Sequence, residues 1–112
     1  MNHFPGWPAL TMLVGLISIS GSLFAGDIAA GKAKAEMVCQ TCHGLDGRGT
    51  QAMVANIGGQ QKQYLVKQLN DFRDGRREHP QMSLIAKMLS DTDIDNVTEW
   101  YAGVVASFTI PE

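Results

Sequence analysis

The first 25 residues contain no Lys, Arg, Asp or Glu; Asp27 is the first acid and Lys32 the first base. Fourteen of these residues are apolar, and from Ala9 to Ala25 only Thr11, Ser18, Ser20 and Ser22 interrupt a run of apolar or small side chains. The absence of a polar face, with Pro5, Pro8 and Gly15, argues against a buried helix of a globular domain. The run suits the apolar region of a secretory signal, about 7–15 residues. It also approaches a membrane anchor, which needs about 20. A cut after Ser22 puts the small Ser20 at the −3 position, whereas a cut after Ala25 puts Leu23 there. The n-region has only its terminal amine and His3, so an uncleaved anchor stays open. Residues 1–25 are therefore expected to be a signal peptide or an anchor. Residues 26–112 are expected to form one domain on the far side of a membrane, where thiols are normally oxidised.

Other scarcities narrow the class. Nine basic against eleven acidic residues leave a net charge of −2, with no basic block to neutralise phosphates. Nucleic acid is therefore not an expected partner. With 45% apolar residues and little net charge, disorder is excluded. The only cysteines, Cys39 and Cys42, would close almost no loop as a disulfide and cannot hold a small domain together in that way. Period-2 alternation is not sustained anywhere, so strands are not expected.

Helices are better supported. Asp27 can cap a first helix running toward Cys39. Five glycines between Gly44 and Gly59 mark a loop. A second helix should begin near Gln60 or Gln61, bury Leu65, Leu69 and Phe72 with Tyr64 beside them, and stop at Gly75. Residues 76–81 read as loop, and Ser83 to Leu89 as a short helical turn. Ser90-Asp91-Thr92-Asp93 is a capping-box pattern that opens a last helix. Its expected apolar stripe is Ile94, Val97, Tyr101, Val104, Val105 and Phe108, bordered by Trp100. The acids at 91, 93, 95 and 99 serve either as helix caps on a solvated face or as a docking patch. The bases Lys62, Lys67, Arg73, Arg76 and Arg77 pose the same choice.

Cys39-Gln40-Thr41-Cys42-His43 is C-x-x-C-H, the attachment sequence of haem c. Two thiols add across the two haem vinyl groups, and one helical turn sets the sulfurs at about the vinyl separation. His43 then lies beneath the iron and supplies an imidazole nitrogen. A covalent cofactor would also give the small domain the reinforcement it lacks. A thioredoxin-like C-x-x-C would want a βαβ setting. A zinc site would need the odd set Cys39, Cys42, His43 and His79. The export segment favours haem. For the sixth iron ligand the residues themselves leave Met53, Met82, Met88 and His79 in play. Met37 is too close to the attachment motif to reach the opposite face.

With these residues in view, the sequence resembles the class I c-type cytochromes, and one half of the dihaem periplasmic cytochromes, over about residues 26–108. Supporting pieces are Gly58-Gly59-Gln60, Tyr64, Gln68-Leu69, Phe72-Arg73-Asp74-Gly75, Met82, Leu89-Ser90-Asp91 and Asp93-Ile94. The resemblance implies an all-α fold of about four helices around one covalently attached haem. It picks Met82 as axial ligand, because family members carry that Met seven residues before the Leu of Leu-Ser-Asp. It also implies a close crossing of the first and last helices at Gly31, against Val97 and Trp100. Two positions depart from the family. Ala55 stands where a Pro usually offers its carbonyl to the axial His, and Trp100 stands where Tyr is usual.

The expected function is electron transfer by a periplasmic carrier, not an enzyme. Cys39, Cys42, His43 and Met82 would bind one haem c, with His43 and Met82 on the iron and apolar side chains such as Leu65, Leu69 and Ile94 around it. Redox partner proteins, such as a reductase and an oxidase or photosynthetic complex, would dock briefly on a monomer through a small interface. The alternative is a membrane-anchored haem subunit of a larger oxidase or dehydrogenase. A third reading, an open iron that binds gases or peroxide, requires that Met82 not bind.

Overall fold

A computed structural model describes Met1 and residues 25–112. Residues 2–24, on which the signal-or-anchor expectation falls, lie outside the described residues. No described helix is long and apolar enough to cross a membrane. The described residues contain five helices and no strand: α1 (Ile28–Val38), α2 (Gln40–His43), α3 (Lys62–Asp74), α4 (Met82–Lys87) and α5 (Asp91–Ala102). The expected four helices become five because the attachment motif forms its own single turn after a bend at Cys39.

Each end has a local cause. The Asp27 carboxylate accepts from the Ala30 N–H at 3.0 Å and caps α1. Gly75, in the left-handed region at φ 79°, stops α3. Ser90 and Asp93 form the expected capping box, each side chain accepting from the other's N–H at 3.0 Å. The Ser90 N–H, with Lys34 nearby, holds the Asp93 carboxyl below the usual carboxylate range despite partial burial.

The last helix is shorter than its apolar pattern. Val105 and Phe108 are 96% and 91% exposed, and Val104 is only half-buried. The Tyr101 carbonyl, which should accept from residue 105, instead takes the Gly59 N–H at 2.8 Å and the Val104 N–H at 3.3 Å. That capture ends the helix at Ala102, so the last turn of the expected stripe does not exist.

Helix α5 is the centre of the packing, lying against both α1 and α3, while α4 packs on α3. Gly31 makes the α1–α5 crossing possible. A Cβ there would lie 2.7 Å from the Asn96 carbonyl carbon and 3.2 Å from the Trp100 Cβ. The expected crossing is therefore present, with Asn96 and Trp100 as the opposing residues. The Asp27 N–H donates to Asn96 Oδ1 at 2.8 Å and fixes the same crossing from its other end. The buried apolar residues are Ala35, Leu65, Phe72, Ala86, Leu89, Ile94, Val97 and Tyr101. Three of them are small or medium (two Ala, one Val), a thin core for a lone domain.

The charged residues pair within the chain. Lys62 reaches Asp95 and Glu99, both at 2.7 Å, and these hydrogen bonds raise its pKa. Lys34 pairs with Asp93 at 3.1 Å and Arg73 with Asp91 at 2.6 Å. Asp71 is held by Lys67 and Arg76, which push its carboxyl below the usual range. Arg77 lies 4.5 Å over the Phe72 ring and donates to Gln68 at 2.6 Å. All four acids of α5 and all five bases of residues 62–77 thus have partners within the chain. Exposed pairs of this kind contribute about 0–1 kcal/mol each, so they set helix orientation more than stability.

Gly31→Ala is expected to destabilise the fold by about 1–3 kcal/mol, because the added methyl meets backbone that cannot yield without separating α1 from α5. Denaturant unfolding checks this; an unchanged midpoint would contradict the close crossing.

Candidate haem-binding site

The site starts at the junction of α1 and α2. The Cys39 N–H still donates to the Ala35 carbonyl at 2.9 Å, and the Cys39 carbonyl accepts from Cys42 at 3.3 Å and His43 at 3.0 Å. The two cysteines therefore stand one helical turn apart. Both thiols are free and half-buried. Burial pushes the Cys39 thiol up to about 11, opposed in part by Lys34, so it stays protonated at neutral pH.

His43 closes α2 and is half-buried. Its Nδ1 lies 2.9 Å from the Ala55 carbonyl oxygen. A carbonyl can only accept, so Nδ1 carries a proton, and the neutral ring in that tautomer has its lone pair on Nε2, where a metal would bind. This is the usual device for fixing the tautomer and orientation of a ligating imidazole. Ala55 does supply the carbonyl that the resemblance assigned to a proline.

The loop after His43 is tied down at many points. Gly44 takes a φ of 72°, a value that costs a residue with a Cβ, and this turns the chain sharply out of α2. Thr50 donates from both its N–H and its hydroxyl to the Cys42 carbonyl, each at 2.9 Å. The Ile57 N–H donates to the Gly47 carbonyl at 2.7 Å, folding the loop back so that Ala55 meets His43. From α5, the Tyr101 hydroxyl donates to the Gly44 carbonyl and the Trp100 Nε1–H to the Leu45 carbonyl, both at 2.9 Å. Burial pushes the Tyr101 hydroxyl above its usual range and keeps it a donor. Sequence reasoning treated both aromatics as packing residues; their role as anchors depends on contacts more than 50 residues apart and had no local signal.

Met82 opens α4 and is half-buried, whereas Met37, Met53 and Met88 are 78%, 95% and 62% exposed. His79 is exposed, and its Nδ1 already accepts two backbone N–H groups at 3.2 Å. Of the apolar residues expected near a haem, Leu65 and Ile94 are buried within the bundle and Leu69 is half-buried. Leu84 and Tyr64 remain 65% and 48% exposed. Helix α2 packs on α1, and α4 packs on α3, so the attachment motif and Met82 belong to different helix pairs.

The donors present fit haem c. They comprise two free thiols one turn apart, an imidazole with its ligating nitrogen free, and a thioether on a separate segment. The other readings of the cysteines do not fit. Among the described residues no three His, Cys, Asp or Glu side chains converge as a metal cage would require, and no strand supplies a βαβ setting. A protein-family model described as Cytochrome c matches residues 28–103. The chain belongs to this family.

Individual relatives agree. A protein named cytochrome c4 from Pseudomonas aeruginosa strain PAO1 is 37% identical over 94 residues, covering 84% of this chain and 45% of that protein. Cytochrome c-554(548) of Halomonas halodenitrificans is 38% identical over 81 residues, covering 70% of this chain and 96% of that one. A protein of Stutzerimonas stutzeri named thiosulfate dehydrogenase electron acceptor is 37% identical over 81% of this chain and 44% of its own length. The crystal structure of reduced recombinant cytochrome c4 from Pseudomonas stutzeri matches with a TM-score of 0.61 at 29% identity, over 71% of this chain and 50% of that chain. The chain thus spans about half or less of the cytochrome c4 proteins, and nearly all of cytochrome c-554(548). The all-helical class I cytochrome c fold is shown, and membership of the family implies covalently bound haem c and haem-based electron transfer.

Trp100→Phe and Tyr101→Phe each leave a loop carbonyl without its donor. Each is expected to cost about 0.5–1.5 kcal/mol, read as a lower denaturation midpoint of the haem-bearing protein. Two variants as stable as the parent would contradict the anchoring role.

Proposed function

We propose that this chain is an electron carrier with one haem c, held by thioether bonds from Cys39 and Cys42, with His43 and Met82 as the two axial ligands. Bound haem iron supplies one-electron chemistry by alternating between ferric and ferrous states. The chain contributes fixed geometry. The hydrogen bond from His43 Nδ1 to the Ala55 carbonyl is the observation that carries the reading. It selects the ligating tautomer, and a polarised Nδ1–H makes Nε2 a stronger donor. The Trp100 and Tyr101 anchors hold the loop on which this bond depends. Ligands that do not move between redox states keep reorganisation small, and a thioether ligand raises the potential. No substrate is transformed, so the chain is not an enzyme by itself.

The chain has a single C-x-x-C-H and spans 96% of cytochrome c-554(548), which supports one haem in one domain of residues 26–112. Residues 1–25 act as an export segment, a cleaved signal or a retained anchor, placing the domain in the periplasm. Its partners are redox proteins. Two relatives are named as electron acceptors of a thiosulfate dehydrogenase, which supports a dehydrogenase as the class of electron donor.

Met82→Ala tests the ligation. The variant is expected to keep its covalent haem, to lose the thioether–iron signature of the oxidised spectrum, and to drop in potential within the roughly 0.8 V range that axial ligands span. A variant with the parent's oxidised spectrum and potential would overturn the Met82 assignment.

A further inference from the structure

The segment before Met82 is loop, as expected, and it ends in a hydrogen-bonded turn that leads into α4. The Ser83 N–H donates to the His79 carbonyl at 3.0 Å, a single i→i−4 bond that closes a turn from His79 into the start of α4. A helix start must satisfy its leading N–H groups without help from a previous turn. Here one residue satisfies them. Pro80, inside this turn, has no N–H to satisfy. The N–H groups of Gln81 and Met82 both point at His79 Nδ1, each at 3.2 Å. The His79 N–H in turn donates to the Ser83 hydroxyl at 3.0 Å. The two side chains thus exchange hydrogen bonds with each other's backbone neighbourhood, in the manner of a capping box.

The ring is also fixed from outside the turn. It meets the buried Phe72 of α3 edge-on, with ring centroids 6.4 Å apart and planes at 74°. His79 therefore links the Met82 peptide to the core through one rigid side chain.

We infer that His79 is the positioning residue for Met82: its Nδ1 caps the turn that leads into α4, accepting from the Met82 N–H, and holds the backbone from which the Met82 sulfur would reach the iron. This rests on the proposed Met82 ligation. A methionine side chain has three soft torsions, so a stable bond to iron depends on a fixed Cα. Loss of the cap frays the turn and raises the fraction of molecules in which the sulfur is off the metal. An Nδ1 that accepts leaves the proton of the neutral ring on Nε2, so His79 could ligate iron only by giving up this cap.

The test uses the full haem-bearing protein and its variants His79→Ala, His79→Asn and Met82→Ala. Three quantities are read: amide hydrogen exchange at Gln81 and residue 82, the thioether–iron signature of the oxidised form, and the rate of CO association with the reduced form. His79→Ala is expected to speed both amide exchange and CO association roughly five- to tenfold, the scale of a lost cap. Asn has a carbonyl oxygen suited to the same N–H groups, so His79→Asn should return both rates to within about twofold of the parent. A His79→Ala protein with parental rates, or an Asn variant as fast as the Ala variant, would overturn the inference. Met82→Ala separates the two levels. If it shows fast CO association while His79→Ala does not, the His79 role alone fails. If it too binds CO at the parental rate, the Met82 assignment fails and this inference falls with it. Should His79→Ala not accumulate with haem, Ser83→Ala removes the reciprocal bond more gently. A several-fold faster exchange at Gln81 and Met82 is then expected, and parental exchange would overturn the shared cap.

Discussion

The close crossing of α1 over α5 at Gly31 is the contact on which the remaining geometry depends. It fixes where α1 delivers Cys39 and the attachment turn. It also sets α5 beside that turn, so Trp100 and Tyr101 can reach the carbonyls of Leu45 and Gly44. The Tyr101 carbonyl then captures the Gly59 N–H at the end of the loop. With both ends of the loop tied to one helix, Ala55 is presented to His43. Helix packing at a glycine is thus converted, through two aromatic donors, into the orientation of an imidazole.

A thin apolar core is the reason a covalently bound haem would reinforce this arrangement. Few large side chains are fully buried, and the attachment motif and Met82 are carried by different helix pairs. A flat apolar group bonded to both segments would join what the protein alone leaves separate, much as disulfides or metals do in other small domains. The ion pairs do not fill that role. They are mostly exposed, and their value lies in register, with Lys62 joining α3 to α5 and Lys34 joining α1 to α5.

Most of the fold could be read in the sequence because its signals are local. Asp27, Gly75 and the Ser90–Asp93 box mark helix ends by their own hydrogen-bonding or backbone needs. C-x-x-C-H names its chemistry by spacing. The bond from His43 to Ala55 was anticipated only through family resemblance, since nothing local links residues 43 and 55. The extra turn expected at Val105 and Phe108 fails because a distant N–H, that of Gly59, takes the carbonyl that would have continued the helix. Residues 76–81 are loop as their composition predicts, but the cap that His79 gives to the turn before α4 had no signal, because histidine is not among the usual capping residues. The partners of Lys34, Lys62 and Arg73 were likewise illegible, because those pairs join segments that only the tertiary fold brings together, whereas Lys67–Asp71 is an i,i+4 pair within α3.

The central claim, that Cys39 and Cys42 carry one haem, is tested most directly by intact mass under denaturing conditions, after expression with haem-attachment machinery. Denaturation removes any group held only by iron ligation, and a thioether-linked haem survives it. The account predicts a chain mass raised by one haem, whether or not residues 1–25 have been removed. A mass equal to the polypeptide alone would contradict it.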